Sequence, residues 1–596
     1  MSALHHDEHV RSLSAESRCS PKNSPRGGAF VAQVCSALLV SYLWMMSCQA
    51  EDDDRSVYRC GAVAADHPLA SEAGVEMLRR GGNVIDAAIA TAATLSVVRP
   101  ASSGLGGGGF LLYYDAREQR VWAYDYRERA PLAATVDMFS TNADPQASRI
   151  GGLAVAVPGA ITGWYDIHQQ HGKLPWAEVL EPALRLAQQG VPLDPHERQI
   201  QHEMLRRFER HPDHSSRFAT LWQQYLQAGR PWDDSTRFNS PQRAALELLR
   251  REGRTALTHG ALGQSLVDTV RSAGGILTAE DWSHASPVLR APLRISFRDY
   301  EIVTMPLPSS GGIVMALTLQ TLEAWSSLPG NPAWDQLPLT DRLHLLAEAM
   351  KYAYALRAAT LGDADAVPVR VAELLDGRLP SRWAQHLDLH HVHPPEHYGR
   401  FITPDDHGTT HFCVMDAQGN AVACTETINT TFGSLVVDPR FGIILNNEMD
   451  DFTTQPGQAN AFGLRQSDAN RIAPRKKPLS SMTPTLVFHQ GQPVLIVGGS
   501  GGPRIISATL QVLLTVVLHH EKISSAVALP RIHHQWQPDT LFVEANFADA
   551  LLQSWEKRGH SLRSTRGNAV VQGLQKLPDG LLPACDPRKH GRPAGW

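Results

Sequence analysis

Two segments in the last third of the chain constrain the fold most, because each reads as a strand, a glycine-containing turn and a second strand. Residues 411–427 (HFCVMDAQGNAVACTET) and residues 485–499 (TLVFHQGQPVLIVGG) both show this pattern. Residues 503–518 then carry apolar side chains at helical spacing. A sheet must bury an apolar face against another layer. The pattern therefore predicts β-sheet structure covered by helices.

The first two thirds of the chain add helices and one further hairpin. Residues 67–98 read as two helices separated by the glycine pair 81–82, and Asn83 with Asp86 can cap the second helix. Residues 110–128 read as a β-hairpin with its turn near residues 117–119. Residues 343–361 predict a strongly apolar helix, whereas the His- and Pro-rich residues 385–400 predict a loop. No internal repeat is present, so we predict mixed α and β structure rather than a repeat architecture.

Composition excludes several classes of protein. The net charge is -5 over 596 residues, so no field of one sign favours nucleic acid as a partner. The seven cysteines are too few for a disulfide scaffold. None of them forms a CxxC pair, which excludes a cysteine-rich zinc module.

The N-terminal fifty residues predict export. Residues 29–46 form the longest apolar run, basic residues precede it, and small residues follow it, which is the pattern of a secretory signal. An 18-residue run is at the short limit for a membrane anchor, and Cys48 offers a lipidation site, so both alternatives stay open. We predict a leader over residues 1–50 and a periplasmic location.

Two glycine-rich motifs resemble known fingerprints. Residues 104–109 contain GxGxxG, but a helix precedes them and a strand follows, which is the reverse of a dinucleotide site. Residues 498–502 match GxSxG between a strand and a helix, so Ser500 is a candidate esterase nucleophile. The alternative is that these glycines present backbone N–H groups to an oxyanion. Histidines for a Ser500 triad are available at four downstream positions: His519, His520, His533 and His534.

The clustered histidines do not predict a metal site. His390, His391 and His393 lie in a Pro-rich loop, and adjacent histidines in such a loop are more typical of a solvated surface than of a metal site. We therefore predict no metal and no cofactor.

Polar residues are unusually dense between the apolar strands of the last third. They occur in four blocks, at residues 409–411, 427–429, 446–451 and 478–484. Buried polar groups need partners, so blocks of this kind indicate a bound ligand or a hydrogen-bonded network.

These blocks resemble those of the γ-glutamyltransferase (glutathione hydrolase) family of N-terminal-nucleophile hydrolases, over residues 61–588. The blocks that carry the resemblance are GGNVIDAA (81–88), LGGGGF (105–110), DYRERAP (125–131), PLPSSGG (306–312), GTTHF (408–412), TETINTTFG (425–433), NNEMDDF (446–452), PLSSMTPT (478–485), GGSGGPRI (498–505) and PRIHHQW (530–536). The resemblance implies an αββα sandwich, in which two stacked sheets are covered by helices.

The resemblance also implies that one precursor cuts itself between Gly408 and Thr409. The products would be a large subunit over residues 51–408 and a small subunit over residues 409–596, paired as a heterodimer. Thr409 would then combine a nucleophilic hydroxyl with a free α-amine, which titrates near neutral pH and can serve as its base.

The site residues follow from the matched blocks. Thr409 would attack the γ-glutamyl amide of glutathione or a related compound, and Thr427 would orient it. Gly501 and Gly502 would offer N–H groups to the oxyanion. The implied glutamyl-binding residues are Arg127, Ser480 and Ser481 for the α-carboxylate, and Asn429, Glu448 and Asp451 for the α-ammonium. A lid loop within residues 456–477 would carry Phe462, and water, an amino acid or a dipeptide would accept the glutamyl group.

Three other hypotheses remain at this point. One is an acylase of the same fold that acts on another amide, such as a glutaryl β-lactam side chain. Another is the Ser500 esterase, for which Thr409 would be dispensable. The last is a binding protein with an inactive site, which the intact polar blocks disfavour.

Overall fold

The structure is a computed structural model that describes residues 56–233, 235–399, 408–454 and 467–596. The predicted leader (residues 1–50), including Cys48, and the lid residue Phe462 lie outside the described residues. Within the described ranges, no helix combines the length and apolar character needed to cross a membrane.

The two main sheets are antiparallel throughout the described residues. Ordered across the sheet, the first has seven strands: Arg592–Gly595, Gly61–Ala65, Thr409–Asp416, Ala421–Thr427, Gly108–Asp115, Arg120–Asp125 and Val288–Arg290. The second has six: Gly580–Cys585, Val570–Leu577, Gln492–Ser500, Thr485–His489, Tyr300–Thr304 and Leu293–Phe297. Smaller sheets join Ile532–His533, Leu541–Glu544 and Leu562–Thr565, and also Val191–Pro192 and Arg237–Phe238.

Side-chain alternation shows how the layers stack. On strand Gly61–Ala65, Ala62 and Ala64 belong to the core between the two sheets, whereas Val63 and Ala65 belong to the core under the helices. Successive strand residues point to opposite faces, so a strand buried on both faces must be apolar at every position. The second sheet likewise has helices on its outer face. The fold is therefore an αββα sandwich, as the family resemblance implies.

Helices supply the two outer layers and a helical region between residues 160 and 272. Their bounds are Pro68–Arg79, Val84–Val98, Ala160–His171, Trp176–Val179, Glu181–Gln189, Pro195–Arg210, His214–Arg217, Ala219–Gln224, Arg243–Glu252, Thr255–Thr258, Ala261–Ser272, Gly311–Ser326, Leu339–Thr360, Val371–Leu374, Arg378–Ala384, Arg504–His519, Ile523–Ala528 and Asp549–Lys557. The apolar helix predicted at 343–361 and the helix predicted at 503–518 are both confirmed.

Local signals in the sequence are confirmed where they are strongest. The helix that begins at Val84 has a capping box, in which Asn83 accepts from the N–H of Asp86 and the Asp86 carboxylate accepts from the N–H of Asn83. The hairpin predicted at 110–128 forms with its turn after Asp115. The two hairpins of the last third do not share a sheet, because 409–427 lies in the seven-stranded sheet and 485–500 in the six-stranded one.

This stacking places the predicted site at one end of the central strands of both sheets. Strand Thr409–Asp416 lies near the middle of its sheet, between Gly61–Ala65 and Ala421–Thr427. Strand Gln492–Ser500 lies in the facing sheet and ends in the glycine turn before helix Arg504–His519. The first residue of one central strand and the glycine turn of the other therefore meet in the same region.

Candidate active site

A cavity of about 30 Å³ collects most of the predicted site residues. Its lining is Arg127, Arg357, Thr409, Thr427, Asn429, Glu448, Asp451, Leu479, Ser480, Ser481, Met482, Gly502, Pro503 and Ile505. Of the predicted catalytic and glutamyl-binding residues, only Gly501 lies outside this lining, one residue before Gly502.

Thr409 and Thr427 face each other across adjacent strands. They form a register pair at the ends of Thr409–Asp416 and Ala421–Thr427, and their hydroxyl oxygens are 3.3 Å apart. The Thr427 hydroxyl donates to the carbonyl oxygen of Gly408 at 2.7 Å and accepts from the N–H of Asn429 at 2.8 Å. Thr427 therefore contacts both the predicted nucleophile and the carbonyl that it would attack.

Lys589 holds the other side of Thr409. Its ammonium donates to the carbonyl oxygen of Thr409 at 2.8 Å and to the Asp66 carboxylate at 2.7 Å. All three residues are buried. The C-terminal segment thus fixes the backbone of the predicted nucleophile. Sequence analysis missed this contact, since Lys589 lies outside residues 61–588, over which the resemblance was drawn.

Close packing at position 408 favours glycine. A Cβ there would lie 2.6 Å from the carbonyl oxygen of Asn429 and 2.8 Å from the carbonyl carbon of Thr430. These are backbone atoms, which cannot move aside as a flexible side chain can.

Arg127 lies at the centre of a group of buried carboxyls. Its Nη2 is 2.5 Å from Asp451 and 3.2 Å from Glu448, and its Nη1 is 3.8 Å from Glu128. Its Nε donates to the carbonyl oxygen of Pro478 at 2.8 Å. The predicted ligands of a carboxylate and of an ammonium group thus bind one another in the uncut chain.

Three carboxyls share one guanidinium, and burial decides their titration. Burial raises the pKa of Asp451, and that of Glu448 well above its usual range, although Arg127 opposes both shifts. Burial likewise raises the pKa of Glu128 to about 8. Burial lowers the pKa of Arg127, but Glu448 and Asp451 more than offset this, so the net shift is upward. An added ammonium group would favour the ionised forms of these carboxyls and so lower their pKa values.

Asn429 and the serine pair complete the polar lining. The Asn429 amide nitrogen donates to the carbonyl oxygen of Asn447 at 3.0 Å, which leaves its carbonyl oxygen as the acceptor. The Ser480 hydroxyl accepts from the N–H of Met482 at 3.1 Å. The Ser481 hydroxyl accepts from Nη2 of Arg357 at 3.1 Å. A serine hydroxyl that accepts still has its own proton to donate.

Arg357 is the main site residue that sequence analysis missed. It lies in helix Leu339–Thr360, inside the predicted apolar helix, and it is 1% exposed. The available signal was that the predicted apolar helix carries three charged residues, Glu348, Lys351 and Arg357, because buried charges usually have a specific partner.

Ser500 lies apart from the cavity. It ends strand Gln492–Ser500, and no hydrogen bond within the described ranges joins it to a histidine. His533 instead bonds to Ser507 through Nδ1 at 2.8 Å, and His534 lies 3.4 Å from Asp539. The geometry of a Ser500 triad is therefore not present in this part of the chain.

The histidine clusters also have local partners. His391 is 3.8 Å from Asp388, and Nε2 of His393 contacts the carbonyl oxygen of His386 at 2.7 Å. Over the ranges that the structure covers, no group of three or more His, Cys, Asp or Glu side chains has the arrangement of a metal site.

The four-layer arrangement is the αββα fold that the resemblance to N-terminal-nucleophile hydrolases implies. A solved structure titled as cephalosporin acylase from Bacillus halodurans superposes with a TM-score of 0.80 over 92% of this chain and 98% of that one, at 23% identity. At this identity the likeness concerns the fold alone.

Sequence comparison gives the family. The family model of gamma-glutamyltranspeptidase matches residues 70–596. The glutathione hydrolase proenzyme of Escherichia coli strain K12 is 35% identical over 537 residues, which cover 89% of this chain and 90% of the relative. A proenzyme of the same name from Pseudomonas aeruginosa is 36% identical, with 89% and 94% covered. The chain belongs to the gamma-glutamyltranspeptidase family.

Proposed function

We propose that the chain is a self-processing γ-glutamyltransferase and glutathione hydrolase with Thr409 as its nucleophile. The observation that carries the proposal is the position of the Thr409 hydroxyl, 3.3 Å from that of Thr427, in a cavity lined by both guanidinium and carboxylate groups. An α-amino acid head group needs both charges, and a γ-glutamyl compound has such a head group next to its scissile amide.

Maturation is the first reaction in this proposal. The Thr409 oxygen attacks the Gly408 carbonyl carbon, the peptide nitrogen leaves as the Thr409 α-amine, and water hydrolyses the resulting ester. The Thr427 hydroxyl already donates to the Gly408 carbonyl oxygen, where negative charge develops. The products are the large subunit, residues 51–408, and the small subunit, residues 409–596.

The new N-terminus supplies the base for catalysis. An α-amine titrates at about 7.7–8.0, so a large fraction of it is neutral at working pH and can take the proton of its own hydroxyl. Thr427 orients that hydroxyl. The N–H groups of Gly501 and Gly502, in the turn after the central strand, are proposed to stabilise the oxyanion.

Substrate recognition follows from the charges of the cavity. Arg127, Ser480 and Ser481 are proposed to bind the α-carboxylate, and Asn429, Glu448 and Asp451 the α-ammonium. Binding requires the contact between Arg127 and Asp451 to rearrange. The glutamyl ester then passes to water, an amino acid or a dipeptide, beneath a lid that includes Phe462.

Export through a leader over residues 1–50 completes the proposal and places the enzyme in the periplasm. A glutaryl amide acylase of the same fold is the rival function. A glutaryl amide lacks the ammonium group and would leave the carboxyls around Arg127 without a cationic ligand. The cavity therefore supports the γ-glutamyl function better.

N-terminal sequencing of the purified enzyme tests the proposal directly. We expect two N-termini, one of which reads Thr-Thr-His-Phe, together with release of p-nitroaniline from γ-glutamyl-p-nitroanilide. Full activity in a preparation that contains only the uncut chain would refute the proposal.

A further inference from the structure

Arg357 presents an unused donor at the cavity. Its Nε donates to the Ser310 hydroxyl at 2.7 Å, and its Nη2 donates to the Ser481 hydroxyl at 3.1 Å. Its Nη1 is buried and has no hydrogen-bond partner among the described residues, although the side chain lines the cavity that contains Thr409. A buried donor without a partner is costly, so such a group indicates a missing ligand.

The charge of Arg357 also lacks a counterion. No carboxylate in the described ranges lies within ion-pair distance of it, and its two partners are neutral hydroxyls. Burial lowers its pKa to about 10, and nearby Arg127 adds to this, while Tyr354 and Asp451 oppose it. The group is therefore still protonated at neutral pH. A buried cation without a counterion favours binding of an anion.

We propose that Arg357 is a second carboxylate-binding residue of the glutamyl pocket, in which Nη1 binds the α-carboxylate and Nη2 orients Ser481 toward the same group. This rests on the proposed function. The Ser481 oxygen accepts from Arg357, so its proton remains free to bond a carboxylate oxygen. The guanidinium and the hydroxyl together form a two-point site.

The engagement of Arg127 supports this assignment. In the uncut chain its Nε and Nη2 already donate to Pro478 and Asp451. Nη1 of Arg357 has no such competitor in the described part of the chain. The carboxylate end of the substrate is therefore placed toward Arg357 and Ser481, with the ammonium end toward Glu448 and Asp451.

The test compares substrates that differ by one group. L-γ-glutamyl-p-nitroanilide has both the α-carboxylate and the α-ammonium, and 4-aminobutyryl-p-nitroanilide lacks only the carboxylate. For Arg357→Met we expect KM for the first substrate to rise about 10- to 100-fold, because a charge-assisted bond is lost. KM for the second substrate should change less than about threefold. Inhibition by L-glutamate should weaken in parallel, while inhibition by 4-aminobutyrate should not.

Arg342→Met is the matched control. Arg342 lies on the same helix and bonds the carbonyl oxygen of Asp335, away from the cavity. This variant should leave KM unchanged for both substrates. If Arg357→Met does not fold or is not processed, Arg357→Lys replaces it in the test. Lysine keeps the positive charge but lacks the planar guanidinium, so KM should again rise only for the substrate with the α-carboxylate, and by a smaller factor.

Two results would overturn the inference. One is an equal loss for both substrates in the Arg357 variants, which would indicate a purely structural role. The other is no loss for either substrate. Failure of the proposed function looks different, since the wild-type enzyme would then remain uncut or would not act on γ-glutamyl-p-nitroanilide.

Discussion

The Thr427 hydroxyl donates to the carbonyl oxygen of Gly408 at 2.7 Å while its oxygen lies 3.3 Å from the Thr409 hydroxyl. One side chain thus contacts both partners of the proposed self-cleavage. We expect Thr427→Val to slow maturation about 100-fold or more, because an oxyanion donor is typically worth that much. Thr427→Ser keeps the hydroxyl and should process close to the normal rate. Gel analysis of the two subunits over time gives the rates, and equal rates for both variants would contradict this role.

Replacing the nucleophile should stop both reactions. Thr409→Ala is expected to yield a single uncut chain without γ-glutamyl activity, because no other group supplies the attacking oxygen. Ser500→Ala should still be cut, since Ser500 lies outside the cavity lining. N-terminal sequencing and the anilide assay measure both outcomes. Retained activity of Thr409→Ala, together with loss of activity in Ser500→Ala, would point to the esterase hypothesis.

A methyl group at position 408 should impair maturation. In Gly408→Ala the Cβ would lie 2.6 Å from the Asn429 carbonyl oxygen, closer than packed atoms tolerate. We expect the uncut chain to accumulate. Gly567→Ala is the control, because its Cβ would meet only the Arg588 side chain, at 3.3 Å. Normal processing of Gly408→Ala would show that the backbone there yields easily.

Asp451→Asn should separate the γ-glutamyl function from its acylase rival. The variant removes a negative charge that the proposal assigns to the α-ammonium group, so KM for γ-glutamyl-p-nitroanilide should rise about tenfold or more. Glutaryl-p-nitroanilide lacks that ammonium, and its KM should not rise. Steady-state kinetics on the two anilides decides the matter, and a parallel loss on both would argue against an ammonium site at Asp451.

Glu426 should make stability fall as the pH rises. Burial raises its pKa to about 7 from the usual 4.5, although Trp164 and Tyr126 donate to it and oppose the shift. Between these values the folded state binds more protons than the unfolded state, so the free energy of unfolding falls with rising pH. Glu426→Gln keeps an oxygen acceptor for Tyr126 and Trp164 and loses the titration.

The comparison should be made in the uncut Thr409→Ala background, so that one chain unfolds. At pH 4, Glu426→Gln should have nearly the same free energy of unfolding as the chain with Glu426. At pH 8 its free energy of unfolding should be higher by up to about 3 kcal/mol. Urea unfolding at both values measures this. A constant difference across pH would show that Glu426 does not titrate as described.

Local chemistry explains which predictions succeeded. The capping box of Asn83 and Asp86, the hairpin turn after Asp115 and the apolar helix around Leu346 depend on residues close in sequence, and all three are confirmed. The residues of the two C-terminal hairpins do not predict that the hairpins lie in different sheets. Both show the same strand pattern, and only the neighbouring strands in each sheet differ.

The site residues divide in a similar way. Family blocks pointed to Thr409, Arg127 and Asp451, and the structure brings all three to one cavity. Arg357 and Lys589 escaped notice. Their roles depend on contacts with Ser481 and with the Thr409 carbonyl oxygen, which lie far away along the chain.

The sequence by itself determined the strand and helix segments, the family and most of the candidate site residues, because these depend on side-chain periodicity, capping and turn chemistry, and on ordered motifs. Only the tertiary structure decided that Arg127 is already paired with Asp451, that Nη1 of Arg357 lacks a partner among the described residues, and that a Cβ at Gly408 would meet backbone. Such facts arise when segments tens to hundreds of residues apart are packed against each other, and burial then makes each unmatched charge or atom costly.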